Sequence, residues 1–180
     1  MSSLIIRGDT SGAITLSAPN AAGDSTYTLP AVNGSVMVSG NMPAFSAYRS
    51  GSIQTFSATT WTKLLFNSEY FDTNNCYDTT NCRFTPNVAG YYLFNFTPLI
   101  SASSSFTEVY TQIYKNGAGI NQYALWSLTS GTFNTIAPST QTIVLMNGTS
   151  DYIEAYAYVG ATSPQLNTAG MFTGVLVRAA

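Results

Sequence analysis

Apolar and polar residues alternate with period two along most of this chain, and no stretch carries the 3.6-residue period of an amphipathic helix. The strongest run is Arg83-Phe84-Thr85-Pro86-Asn87-Val88-Ala89-Gly90-Tyr91-Tyr92-Leu93-Phe94-Asn95-Phe96. Pro86 has a fixed φ and no N–H, so a first strand ends there. Gly90 has access to backbone conformations closed to other residues and lets the chain re-enter a sheet. Beyond it Tyr92, Phe94 and Phe96 share one face, with Tyr91, Leu93 and Asn95 on the other. Two apolar faces predict a central strand covered on both sides, by the core on one and by a second sheet or a second chain on the other. The same alternation predicts strands over 44–49, 52–56, 61–66, 70–72, 83–85, 91–98, 107–115, 120–126, 131–136, 140–146, 152–159 and 171–178. Turn signals at Lys115-Asn116-Gly117, at Asn147-Gly148 and over 160–164 separate several of them. Short strands with turns at roughly ten-residue spacing predict an all-β sandwich.

The first 43 residues differ. Ser3-Leu4-Ile5-Ile6 is a short apolar strand, Gly8 to Gly12 a turn, and Ala13-Ile14-Thr15-Leu16-Ser17 alternates again. A short extended piece, Tyr27-Thr28-Leu29-Pro30, and an Asn33-Gly34 turn lead to Val36-Met37-Val38. These strands are too short to build a core alone and need a neighbour. Ile5, Ile14, Leu16, Leu29 and Val36 are the candidate attachment positions. Gly40-Asn41-Met42-Pro43 marks the boundary, giving an extended arm over 1–43 and a head over 44–180.

Composition narrows the function. The 180 residues include only 8% charged side chains, against the usual quarter or so. A neutral surface rich in hydroxyls and in 12 tyrosines suits extensive protein contacts, because few charges must be desolvated. A net charge of −2, with Lys63 and Lys115 the only lysines, argues against nucleic acid. No apolar run reaches membrane-spanning length, and Met1 to Arg7 lacks the pattern of a signal peptide, so synthesis in the cytoplasm is expected. Without histidine the usual general base is missing, and no acidic pair is set as in a glycosidase, so we expect no enzyme and no cofactor. Arg7-Gly8-Asp9, Asn95-Phe96-Thr97 and Asn147-Gly148-Thr149 match short motifs too common to carry weight.

Three sets of residues are candidates for a site. Asp72 and Asp78 sit in runs of oxygen-bearing side chains of the kind calcium prefers, but neither run matches a known calcium-loop spacing and the same residues are the commonest turn formers. Cys76 and Cys82 enclose five residues and form either a small disulfide loop or two free thiols. On the 152–159 strand, Ile153, Ala155, Ala157 and Val159 face one way and Tyr152, Glu154, Tyr156 and Tyr158 the other. With Tyr91 and Tyr110, and with Tyr114 and Tyr123 nearby, these tyrosines make a second face suited to an interface.

Phe84-Thr85-Pro86, Ala89-Gly90-Tyr91-Tyr92, Lys115-Asn116-Gly117 and the closing Phe172-Thr173-Gly174, in this order from Phe45 to Val177, resemble the complement globular-head family, a relative of tumour necrosis factor. The resemblance implies a ten-stranded jelly roll and a homotrimer, with the three-fold axis on the tyrosine-bearing sheet. Some relatives bind calcium near the trimer apex. One departure stands out: two residues separate Gly148 from Asp151, where the family has a Gly-Asp turn. Separately, the segment from Gly8 to Val36 is similar to the N-terminal segment of tailed-phage virion proteins, fibre-like ones above all. Together these imply a homotrimeric, non-enzymatic virion structural protein, assembled in the bacterial cytoplasm and held to the particle by its arm. Its partner is the major capsid protein, as in a decoration or cement protein, or a tail protein, as in a receptor-binding tip or short tail fibre. In the latter case Trp126 and the 127–134 loop are candidates to stack on a host-surface glycan. A bacterial surface lectin is a third reading, against which the absent signal peptide speaks.

Overall fold

A computed structural model describes residues 3–17, 20, 23, 24, 26, 28, 31, 36–127 and 133–180. The chain divides into two compact units, Met1–Ser35 and Val36–Ala180. In the first, β1 (Ser3–Arg7) pairs antiparallel with β2 (Ala13–Ser17). The turn closes through the Gly8 N–H donating to the Gly12 carbonyl. Leu4 lies opposite Leu16 and Ile6 opposite Ile14, so one face of the hairpin is aliphatic, and all four side chains are exposed. Leu29, most of the extended piece around it and the Asn33-Gly34 turn lie outside the described residues.

The second unit is the sandwich. Its strands are β3 (Ala44–Tyr48), β4 (Gln54–Thr55), β5 (Thr62–Lys63), β6 (Ser68–Asp72), β7 (Tyr77–Asp78), β8 (Arg83–Phe84), β9 (Gly90–Ser101), β10 (Glu108–Lys115), β11 (Ala118–Ser127), β12 (Thr135–Ile136), β13 (Thr140–Met146), β14 (Ile153–Gly160) and β15 (Gln165–Ala179). One sheet of six runs β11-β10-β14-β8-β7, with β5 also on β14. The other, of seven, runs β12-β9-β15-β3-β6, with β13 on β9 and β4 on β15. The only helical turn among the described residues is a single 3₁₀ turn at Ser39–Asn41. The all-β sandwich is therefore present. The described strands outnumber the expected ten, because several two-residue pieces pair separately.

The core lies where the two sheets meet. Tyr92, Phe94 and Phe96 of β9 are fully buried, as are Ile153, Ala155, Ala157 and Val159 of β14. Phe45 is sandwiched between Tyr77 and Phe84, at ring-centroid distances of 4.8 and 4.5 Å, and meets Phe172 edge-on at 5.0 Å. Such aromatic contacts stabilise beyond the area they bury. The two phenol hydroxyls in this core stay bonded: Tyr77 donates to the Phe66 carbonyl and Tyr92 to the Val88 carbonyl, each at 2.7 Å. Burial pushes both phenols far above their usual range, so neither ionises in the folded state.

Two local readings need correction. Gly90 does not adopt a left-handed conformation. It is a glycine because a Cβ there would collide with the Arg178 carbonyl and with Leu176 Cδ1, so the requirement is close approach of β15 and not a special dihedral. The residues around Cys76 are also not merely a polar loop: Tyr77 is a core side chain on its own short strand, β7. By contrast, Asn116 and Gly117 both have positive φ, 53° and 79°, as the tight turn between β10 and β11 requires. The insertion before Asp151 is absorbed by Asn147, whose Oδ1 accepts from the N–H groups of Thr149, Ser150 and Asp151.

Candidate functional site

The two sheets present outward faces of opposite character. On the seven-stranded sheet, residues between the core positions of β9, β13 and β15 point away from the core. Pairing places them in rows across the sheet: Ile143, Leu93 and Val175 in one, and Leu145 and Tyr91 in the next. β13 departs from the usual rule, although Met146 at its end is buried as that rule expects. Thr140 and Thr142 are buried, while Ile143 and Leu145 are 59% and 48% exposed. The inward threonine Thr140 is satisfied by Thr111 across the sandwich, with hydroxyl oxygens 2.6 Å apart. Met171, Val175, Val177 and Phe71 extend the exposed apolar surface. A groove of about 440 Å³ lies on it, lined among others by Ser46, Asn95, Thr173, Phe71, Leu93 and Val175. Contiguous exposed apolar surface of this kind marks a contact surface.

On the six-stranded sheet the outward face is aromatic. Tyr110 and Tyr114 on β10 and Tyr156 and Tyr158 on β14 meet around Trp61, just before β5. Tyr114 stacks on Tyr156 at 3.8 Å. Glu154, nearly buried on this face, pairs with the Lys63 ammonium at 2.5 Å. At the end of the sheet the Arg83 guanidinium lies 4.9 Å from the centre of the Tyr152 ring.

The five tyrosines singled out from sequence are therefore not on one surface. Tyr110, Tyr156 and Tyr158 belong to the six-stranded sheet, Tyr152 immediately precedes β14, and Tyr91 lies on the opposite sheet, under Arg178. The apolar residues Ile143, Leu145, Met171 and Val175 were not singled out. The signal that could have found them is the inverted order of Thr140-Gln141-Thr142-Ile143-Val144-Leu145, read against the inward phase of the neighbouring strand. Of the attachment positions, Ile5, Ile14 and Leu16 are exposed on the hairpin, with Ile5 on the face opposite Ile14 and Leu16; Val36 is exposed in the second unit. The side chains of Tyr123 and Trp126 and residues 128–132 lie outside the described residues.

Asp72 and Asp78 serve their own turns. Asp72 accepts from the N–H groups of Asn74 and Tyr77, at 3.3 and 2.6 Å. Asp78 accepts from the N–H groups of Thr80 and Asn81, both at 2.9 Å, and Asn81 holds its carboxyl below the usual range. Among the described residues no three acidic, cysteine or histidine side chains converge as a metal site would need. Cys76 and Cys82 are separate buried thiols, each directed at a carbonyl of its own turn, Asn74 and Thr79. Burial raises both thiol pKa values.

This architecture, two antiparallel sheets closed over an aromatic core, defines a jelly-roll sandwich of the complement and tumour-necrosis-factor type. Residues 44–177 match the C1q domain, and the chain belongs to that family. Its fold is similar to the globular domain of the zebrafish complement 1qA protein, with 17% identity, a TM-score of 0.58, and coverage of 77% of this chain and 99% of that one. It is also similar to murine APRIL, crystallised at pH 5.0, with 9% identity, a TM-score of 0.56, and coverage of 76% and 99%. No curated protein matches the chain. Domains of this family are generally non-enzymatic and form homotrimers.

Proposed function

We propose that this protein is a homotrimeric, non-enzymatic virion structural protein of a tailed phage, a knob held to the particle by its N-terminal arm. The observation that carries the trimer is β13, where Ile143 and Leu145 point to solvent and threonines point inward. A lone subunit gains nothing from that order, whereas three subunits packed about the seven-stranded sheets bury it. On this reading Tyr91 lies in the interface and the tyrosine cluster around Trp61 faces outward. The phage assignment is supported by the likeness of Gly8 to Val36 to virion N-terminal segments. The aliphatic face of the β1–β2 hairpin supports attachment, because an isolated two-stranded ribbon is marginal until it lies on another surface.

Decoration of the capsid is the first reading, supported by an N-terminal unit that presents an aliphatic face and a separate compact knob. The outward aromatic surface favours a second, a receptor-binding tip or short tail fibre that contacts a host-surface ligand. Quantifying the protein in purified virions against the major capsid protein separates them. A shell-wide complement means decoration and a few trimers per particle means the tail. Absence from the virion would refute both.

A further inference from the structure

We propose that the cleft between Trp61, Tyr110, Tyr158 and Glu108 is a binding site for a methylated ammonium group, of the kind carried by choline. The cleft has a volume of about 230 Å³ and lies on the six-stranded sheet, on the side opposite the apolar face assigned to the trimer.

Its shape argues for a compact cation. Trp61 and Tyr110 are inclined at 58°, Trp61 and Tyr158 at 53°, and Tyr110 and Tyr158 at 83°. Three such planes make a corner and not the flat platform on which a sugar ring would stack. The three centroids are 5.6 to 6.2 Å apart, so a cation seated over their midpoint comes within about 6 Å of each, the range in which a ring face attracts positive charge.

Its charge argues the same way. The Glu108 carboxylate lines the cleft and accepts a hydrogen bond from the Tyr110 hydroxyl at 3.0 Å. Among the described residues no cation pairs with it: Lys63 is bound to Glu154 and Lys115 to Asp151. Three aromatic rings and an uncompensated carboxylate therefore line one small space. A few polar groups in a largely apolar wall fix the orientation of a small ligand. A pyranose would need several donors and acceptors at its hydroxyls, and this cleft offers it few. The inference goes beyond the virion reading and holds wherever on the particle the knob sits.

The test uses the full chain carrying Trp126→Phe, which leaves Trp61 as the only tryptophan. Choline chloride is titrated against its fluorescence, with sodium chloride at matched ionic strength as the blank. The neutral isostere 3,3-dimethylbutan-1-ol and a methyl glucoside are titrated in parallel. We expect a saturable change with choline in the millimolar range and binding of the neutral isostere weaker by about tenfold or more. Glu108→Gln, a change that keeps the shape of the side chain, weakens choline by about threefold or more, and Tyr158→Leu does so by a similar factor. Equal binding of choline and its isostere overturns the proposal, as does saturable binding of the glucoside in place of choline. No saturable response by about 50 mM choline also overturns it. None of these results bears on whether the protein is in a virion or forms a trimer.

Discussion

Gly174 is the residue at which sequence motif, packing and stability meet most tightly. It pairs with Phe45 on one side and Phe94 on the other, in the middle of the seven-stranded sheet. A Cβ at this position would lie 2.5 Å from Phe45 Cε1, and 2.6 and 2.7 Å from Phe94 Cδ1 and Cε1. Carbon atoms pack at about 3.5–4.0 Å, so Gly174→Ala drives a methyl roughly 1 Å into two rings. Neither ring has room to yield. Phe94 is fully buried, and Phe45 is clamped between Tyr77 and Phe84 with Phe172 at its edge. Overpacking costs about 1–3 kcal/mol, and clamped rings put this site at the upper end. Loss of glycine's freedom in the unfolded chain returns about 0.5 kcal/mol, leaving a net cost of about 2–3 kcal/mol. For a domain of this size that lowers the melting temperature by roughly 5–10 °C. Circular dichroism at fixed protein concentration measures it, since the melting point of an oligomer depends on concentration. Phe45→Leu in the same chain should recover part of the loss, because removing the ring makes room for the methyl. A Gly174→Ala protein that melts within about 2 °C of the parent would refute the packing argument.

Other consequences follow from the same geometry. Ile143→Lys together with Val175→Lys should reduce the particle mass to that of one chain, while Tyr156→Gln on the opposite sheet leaves it unchanged; light scattering after gel filtration distinguishes the two faces. Lys115, Asn116 and Asn147 hold the Asp151 carboxyl below its usual range, so its contribution to stability is complete above the unfolded value of about 4 and is lost as pH falls through the lower folded value. Urea midpoints should therefore fall on acidification below about pH 4, and fall less steeply in Asp151→Asn; equal slopes would contradict this. Cys76 and Cys82, buried and with raised pKa values, should resist an aromatic disulfide reagent at pH 8 in the native protein and both react in urea. Prompt labelling of the native protein would place the thiols at the surface.

The sequence carried the strand pattern because alternation survives wherever one face is core. The inward phases of β9 and β14 follow from Tyr92-Leu93-Phe94-Asn95-Phe96 and Ile153-Glu154-Ala155-Tyr156-Ala157 alone. β15 begins at Gln165, six residues before the predicted start, because its first half is polar on the outside and bulges between Leu166 and Gly170. β7 escaped notice because a two-residue strand leaves no periodicity to read. Which sheet carries which outward residue was not legible. Tyr91 and Tyr156 look alike along the chain, and only strand order puts them back to back. The aromatic corner was hidden for the same reason: Trp61 comes to Tyr110 and Tyr158 through the pairing of β5, β14 and β10, which are far apart in sequence.

The mass of the 180-residue chain in dilute solution tests the central claim most directly. Multi-angle light scattering should give about three times the 19.2 kDa chain, unchanged on dilution, with the exposed order of β13 covered. A folded, soluble species with the mass of a single chain would contradict it.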